Sequence, residues 1–155
     1  MAEMRQIYRG GLGINREEKH PIAWDRAFPS VTDRGGFDII VGNPPYIRIQ
    51  SWPEEDRDYY RANYRSAHGS FDIYVLFIEK SLDLLKAGGR LGFITSGKFL
   101  RADYGRRLIE FIQQHATVEE IVDLSAQRVF GDATTYPAIV VLRKGKLDSL
   151  VESPL

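Results

Sequence analysis

Cysteine is absent from the 155 residues, which excludes disulfides and thiolate metal sites and does not suit a zinc-finger reader of DNA. The three histidines, His20, His68 and His115, are too scattered in sequence to suggest a metal cluster. Neither charge is in excess: 21 basic residues balance 21 acidic ones, unlike a self-sufficient duplex-binding domain. Any grip on a polyanion is therefore expected to come largely from elsewhere. Apolar runs of membrane-helix length are missing, and Met1-Ala2-Glu3-Met4-Arg5 lacks the apolar core of a signal peptide, so a soluble, cytoplasmic protein is expected. Repeats and low-complexity tracts are missing too. What is present, 43% hydrophobic and 12% aromatic residues, is enough for one globular domain with a real core.

The most informative stretch is Phe37-Asp38-Ile39-Ile40-Val41-Gly42-Asn43-Pro44-Pro45-Tyr46. Its apolar run, too short for a helix, reads as a buried strand. Two prolines fix φ and restrict the residue before them, so Asn43 and the Pro44 carbonyl are set in one geometry before anything binds. Both offer oxygen acceptors, a pair suited to the two hydrogens of a planar –NH2 group. Such a nitrogen is a poor nucleophile because its lone pair is delocalised; paired acceptors favour a more tetrahedral nitrogen that can attack. Tyr46 adds a flat face for stacking. The competing reading, a proline turn with a core tyrosine, assigns these residues no chemistry.

Residues 1–36 read as an irregular lead-in broken by Gly10-Gly11-Leu12-Gly13, Pro21, Pro29 and Gly35-Gly36, with Trp24, Phe28 and Val31 available to pack. Gly11-Leu12-Gly13 is not read as a cofactor loop: 23 residues separate Gly13 from Phe37, fewer than the roughly 30 of a βαβ unit. A short helix is expected over Glu54–Asn63. Arg48, Arg57, Arg61 and Arg65 form either a solvated face or contacts to phosphates. A helix over Phe71–Lys86 follows from Phe71, Tyr74, Val75, Ile78, Leu82 and Leu85, with Ser70 as cap and Gly88-Gly89 as stop. A strand over Arg90–Thr95 comes next, then a helix over Phe99–His115 with Leu108, Ile109, Phe111 and Ile112 inward. Strands over Thr117–Leu124 and Ala138–Arg143 close the domain. The loop Ser125–Pro137 is too short for a crossover helix, so these two strands are expected as antiparallel neighbours. The domain spans 37–146, followed by a tail at 147–155.

In this order of elements the chain resembles the gamma class of adenine-specific DNA methyltransferases of restriction-modification systems, from Phe37 to about Lys146. Asn43, Pro44, Pro45 and Tyr46 match that family's methyl-transfer motif. Phe71-Asp72-Ile73-Tyr74 through Lys86-Ala87-Gly88-Gly89 is similar to the next motif, and Leu91 to Leu100 to the strand and loop after it. Phe130, in Val129-Phe130-Gly131-Asp132, falls on a later aromatic that packs against the extruded base, although a core role suits it nearly as well.

The resemblance implies transfer of a methyl group from S-adenosylmethionine to N6 of a flipped adenine. Asn43 and Pro44 would hold N6, Pro45 would stiffen the corner, and Tyr46 and Phe130 would sandwich the ring. Arg48 and Lys98 would touch DNA, and no metal is called for. It also implies a Rossmann-like α/β fold with sheet order 3-2-1-4-5-7-6, of which this chain supplies only the 4-5-7-6 half. The family's glycine-rich cofactor motif, its ribose-binding acid and a target-recognition domain are not found, so cofactor-binding residues are unknown. The first strand would then expose an apolar edge. The expectation is a fragment inactive alone, a remnant, or part of a split enzyme whose second polypeptide or missing segment binds the cofactor.

Three competitors remain. Protein-glutamine methyltransferases carry the same tetrapeptide, because an amide nitrogen poses the same problem, but they continue with an acidic-proline segment not found here. A non-catalytic scaffold gains weight from the missing cofactor half. A nucleotide hydrolase is suggested by Gly92 to Lys98, which nearly matches a phosphate loop but has Phe99 where Ser or Thr would hold magnesium.

Overall fold

A computed structural model of the chain describes residues 22–126 and 136–146. Two single-turn helices lead in, α1 (Trp24–Ala27) and α2 (Pro29–Thr32). The remaining elements are β1 (Phe37–Gly42), α3 (Glu54–Asn63), α4 (Tyr74–Leu84), β2 (Leu85–Ser96), α5 (Arg106–His115), β3 (Ala116–Asp123) and β4 (Pro137–Lys144). The strands form one sheet in the order β1-β2-β4-β3. β1 and β2 are parallel, whereas β4 runs antiparallel to both β2 and β3. In chain order this is the expected 4-5-7-6 half, including the antiparallel final pair.

The core is built between one sheet face and α4 and α5. Phe71, Tyr74, Val75, Ile78 and Leu82 are buried together with Leu91 and Phe93 of β2, Val140 and Leu142 of β4, and Leu108, Phe111 and Ile112 of α5. Each such side chain contributes about 1.5–3 kcal/mol when fully buried. Lys144 on β4 donates to the carbonyls of Asp83 (3.0 Å) and Leu85 (2.5 Å), supplying partners to the carbonyl end of α4. Glu79, 2% exposed, accepts from the backbone N–H groups of Arg65 (3.0 Å) and Ser66 (2.7 Å) and from the Ser66 hydroxyl. It thereby ties the segment after α3 to α4.

β1 is an edge strand, and its apolar run is not buried: Ile39 is 64% and Val41 75% exposed. Apolarity alone suggested burial, but on this edge no strand of the described residues continues the sheet. In the lead-in, Trp24 stacks on Phe28, and both rings meet Phe37 edge-on. Val31 is half-buried.

Two helices differ from expectation. α4 begins at Tyr74 without a side-chain cap from Ser70 and ends at Leu84. Lys86-Ala87-Gly88-Gly89 lies inside β2, where the register steps from Phe37–Leu85 to Ile39–Arg90. Gly88 takes φ +75°, and a Cβ on Gly89 would sit 2.8 Å from the Phe37 carbonyl oxygen. The glycine pair makes a bulge where strands approach, not a helix stop. The helix expected over Phe99–His115 starts only at Arg106. Before it, Gly97–Leu100 and Asp103–Gly105 are 3₁₀ turns folded onto each other.

Candidate active site

Because β1 and β2 are parallel, their carboxyl ends open at the same rim, the place where open α/β sheets bind ligands. Asn43 leaves β1 there and is exposed, Pro44 is buried, and Pro45 and Tyr46 are half-buried. The prolines thus anchor the turn while the Asn43 side chain remains accessible. The next segment is pinned from both sides of Arg48: the Ile49 N–H donates to the Phe71 carbonyl (2.9 Å) and the Ile73 N–H to the Ile47 carbonyl (2.8 Å). This short antiparallel pairing sets Arg48 beside Asp72.

The Tyr46 ring rests edge-to-face on Tyr74, centroids 6.2 Å apart at 78°, and Tyr74 in turn meets Phe99 at 6.3 Å. Hydroxyls continue the contact. Tyr74 OH lies 2.8 Å from Tyr104 OH, which donates to Asp72 Oδ2 at 3.5 Å. A cleft of about 330 Å³ opens beside this chain, lined by Arg48, Gln50, Ser70, Asp72, Lys98 and Tyr104. Burial pushes the Tyr46 and Tyr104 phenols up. Asp72, 9% exposed, is also pushed up by desolvation, while Lys98, Arg48 and the Tyr104 hydroxyl pull in the opposite direction. Both cations therefore face one carboxyl group from opposite elements.

Arg48 and Lys98, singled out by the sequence, are brought together at this cleft. The other arginines are not. Arg65 packs over the Phe111 ring at 4.6 Å and pairs with Glu79 and Asp83, and Arg61 pairs with Asp58. Phe130 lies outside the described residues. Sequence reasoning missed Tyr104, and it placed Asp72 in the Phe71-Asp72-Ile73-Tyr74 motif without assigning it a place in the cleft. Gly105, within a segment read as continuous helix, was the available signal that Tyr104 sits on a turn.

The described residues do not by themselves fit S-adenosylmethionine. They offer no glycine loop at this rim. No group of metal-ligating side chains occurs among them, and none of their helices is long and apolar enough to cross a membrane.

The profile of the Eco57I restriction-modification methylase family matches residues 4–130. The type II restriction enzyme and methyltransferase RM.Eco57I of Escherichia coli is 35% identical over 116 residues, covering 73% of this chain and 12% of that protein. The type II methyltransferase M.BstVI of Geobacillus stearothermophilus is 40% identical over 116 residues, covering 74% of this chain and 21% of that protein. The chain thus spans about a fifth or less of the length of these relatives. A structure described as a class I S-adenosylmethionine-dependent methyltransferase from Listeria monocytogenes superposes with a TM-score of 0.56 at 21% identity, covering 73% of this chain and 33% of that one. The fold is therefore the Rossmann-like methyltransferase fold, represented by four strands.

Proposed function

The chain belongs to the Eco57I restriction-modification methylase family, and from that premise we propose that it forms the amino-acceptor half of a DNA adenine-N6 methyltransferase. The observation that carries this reading is the corner at the end of β1. An exposed Asn43 is followed by a buried proline and by a tyrosine ring seated on Tyr74.

In this reading the Asn43 side-chain oxygen and the Pro44 carbonyl accept the two N6 hydrogens of an adenine rotated out of the duplex. Withdrawing both hydrogens from the ring plane localises the nitrogen lone pair for attack. Tyr46 stacks on the base, Phe130 is assigned the opposite face, and Arg48 and Lys98 meet the backbone. Positioning and fixed dipoles supply the rate. S-adenosylmethionine, when bound, supplies an electrophilic methyl group. Its binding residues are assigned outside the described part of the chain, on a further segment or a second polypeptide that covers the exposed edge of β1. The active unit is the two halves together.

The test offers that active unit labelled S-adenosylmethionine with duplex DNA, and separately with a glutamine-containing protein acceptor. N6-methyladenine in DNA, lost on Asn43→Ala with DNA binding partly retained, is the expected product. Methyl-glutamine instead would move the assignment to protein substrates, and no transfer to either would favour a scaffold.

A further inference from the structure

Beneath the Tyr46 ring runs a buried polar chain that the amino-holding corner does not itself use. Tyr74 is fully buried, and its hydroxyl lies 2.8 Å from the Tyr104 hydroxyl. Asp72 ends the chain, beside Arg48 and Lys98. Tyr104 donates to Asp72 at 3.5 Å, which leaves Tyr74 to donate to Tyr104.

Packing alone does not require this arrangement. A core is filled as well by phenylalanine as by tyrosine, and buried polar groups bring no net stability unless each is satisfied. What the chain does is hold the Tyr74 ring at one angle, and Tyr46 leans on that ring at 78°. Stacking residues must be held within roughly 0.5 Å and 10–20° to work, which takes support from a second layer. The 3₁₀ turn bearing Tyr104 is itself locked, because a Cβ on Gly105 would collide with the Phe99 carbonyl.

We infer that Asp72 and Tyr104, acting through Tyr74, are positioning residues that set the angle of the Tyr46 stacking face. This inference rests on the proposed adenine site, since it assigns Tyr46 a base to stack upon.

The experiment uses the two-half active unit and duplex DNA with 2-aminopurine at the target position, whose emission rises on flipping and is quenched by stacking. Tyr74→Phe and Tyr104→Phe keep their rings and cut the chain. Each is expected to lower kcat about tenfold with KM for DNA within about twofold, and to leave the flipped 2-aminopurine brighter than in the parent. Asp72→Asn, which keeps an acceptor for Tyr104, is expected to stay within about threefold of the parent in kcat, whereas Asp72→Leu should behave like Tyr104→Phe. Parent-like kcat and quenching in Tyr74→Phe would overturn the positioning role alone. An activity loss in all four variants that merely follows their melting temperatures would do the same. A parent that neither methylates DNA nor flips the probe would overturn the adenine site and this inference with it.

Discussion

Gly105 is the position where the structure makes the sharpest demand on one side chain. Its backbone is ordinary, φ −74° and ψ −17°, so the glycine is not there for a left-handed conformation. It is there for space: a Cβ would fall 2.6 Å from the Phe99 carbonyl carbon and 2.7 Å from its Cα. These are backbone atoms of a 3₁₀ turn anchored by the buried Phe99 ring and closed by the Ala102 N–H bond to the Lys98 carbonyl at 2.9 Å. No rotamer change can relieve the clash. Gly105→Ala should therefore cost toward the upper end of the overpacking range, about 3 kcal/mol. For a chain of this size that lowers the melting temperature by roughly 6–12 °C. Gly88→Ala is the matched control, with φ +75° but open space around the new Cβ. Its cost is backbone strain alone, about 1–2 kcal/mol. Thermal unfolding followed by circular dichroism reads both. A Gly105→Ala protein that melts at or above Gly88→Ala would refute the close approach of the two turns.

Tyr46→Ala should weaken binding of DNA containing a flipped base by roughly 10- to 100-fold, the worth of one base–aromatic stack. Tyr46→Phe should stay within about threefold, as fluorescence anisotropy would show. Glu79→Gln turns one buried acceptor into a donor facing N–H or O–H groups; a loss of about 3 kcal/mol is expected, seen as a urea midpoint lower by about 1–2 M. Burial raises the Asp72 carboxyl above its ordinary value, so the folded chain holds that proton more tightly than the unfolded one. Its ionisation then opposes folding as pH rises above the carboxylate range. Asp72→Asn should consequently melt higher than the parent at pH 7, and the gain should vanish below about pH 4.

Elements whose boundaries are written locally were legible in the sequence. Glu54–Asn63 forms the expected helix because its acidic first turn follows Pro53 and suits the helix dipole. The brevity of Ser125–Pro137 correctly foretold antiparallel β3 and β4. The tetrapeptide stands at the end of β1 because a strand run followed by two prolines cannot continue. Long-range demands were not legible. Gly88-Gly89 looks like a helix stop until Phe37 is seen lying against Gly89, and the apolar period from Phe99 to Ile112 hides the break at Gly105. The cleft needed tertiary structure altogether, since Arg48, Asp72, Lys98 and Tyr104 meet only after three separate segments fold to one rim.

The claim on which the account turns is that the proline-fixed corner grips an exocyclic amine. It is tested most directly by a crystal structure of the chain together with the cofactor-binding part proposed for it, a cofactor product and adenine-containing DNA. The adenine N6 should lie about 2.7–3.2 Å from both Asn43 Oδ1 and the Pro44 carbonyl oxygen, with the Tyr46 ring stacked on the base. An N6 bonded elsewhere, or Asn43 and Pro44 turned toward internal partners, would contradict it.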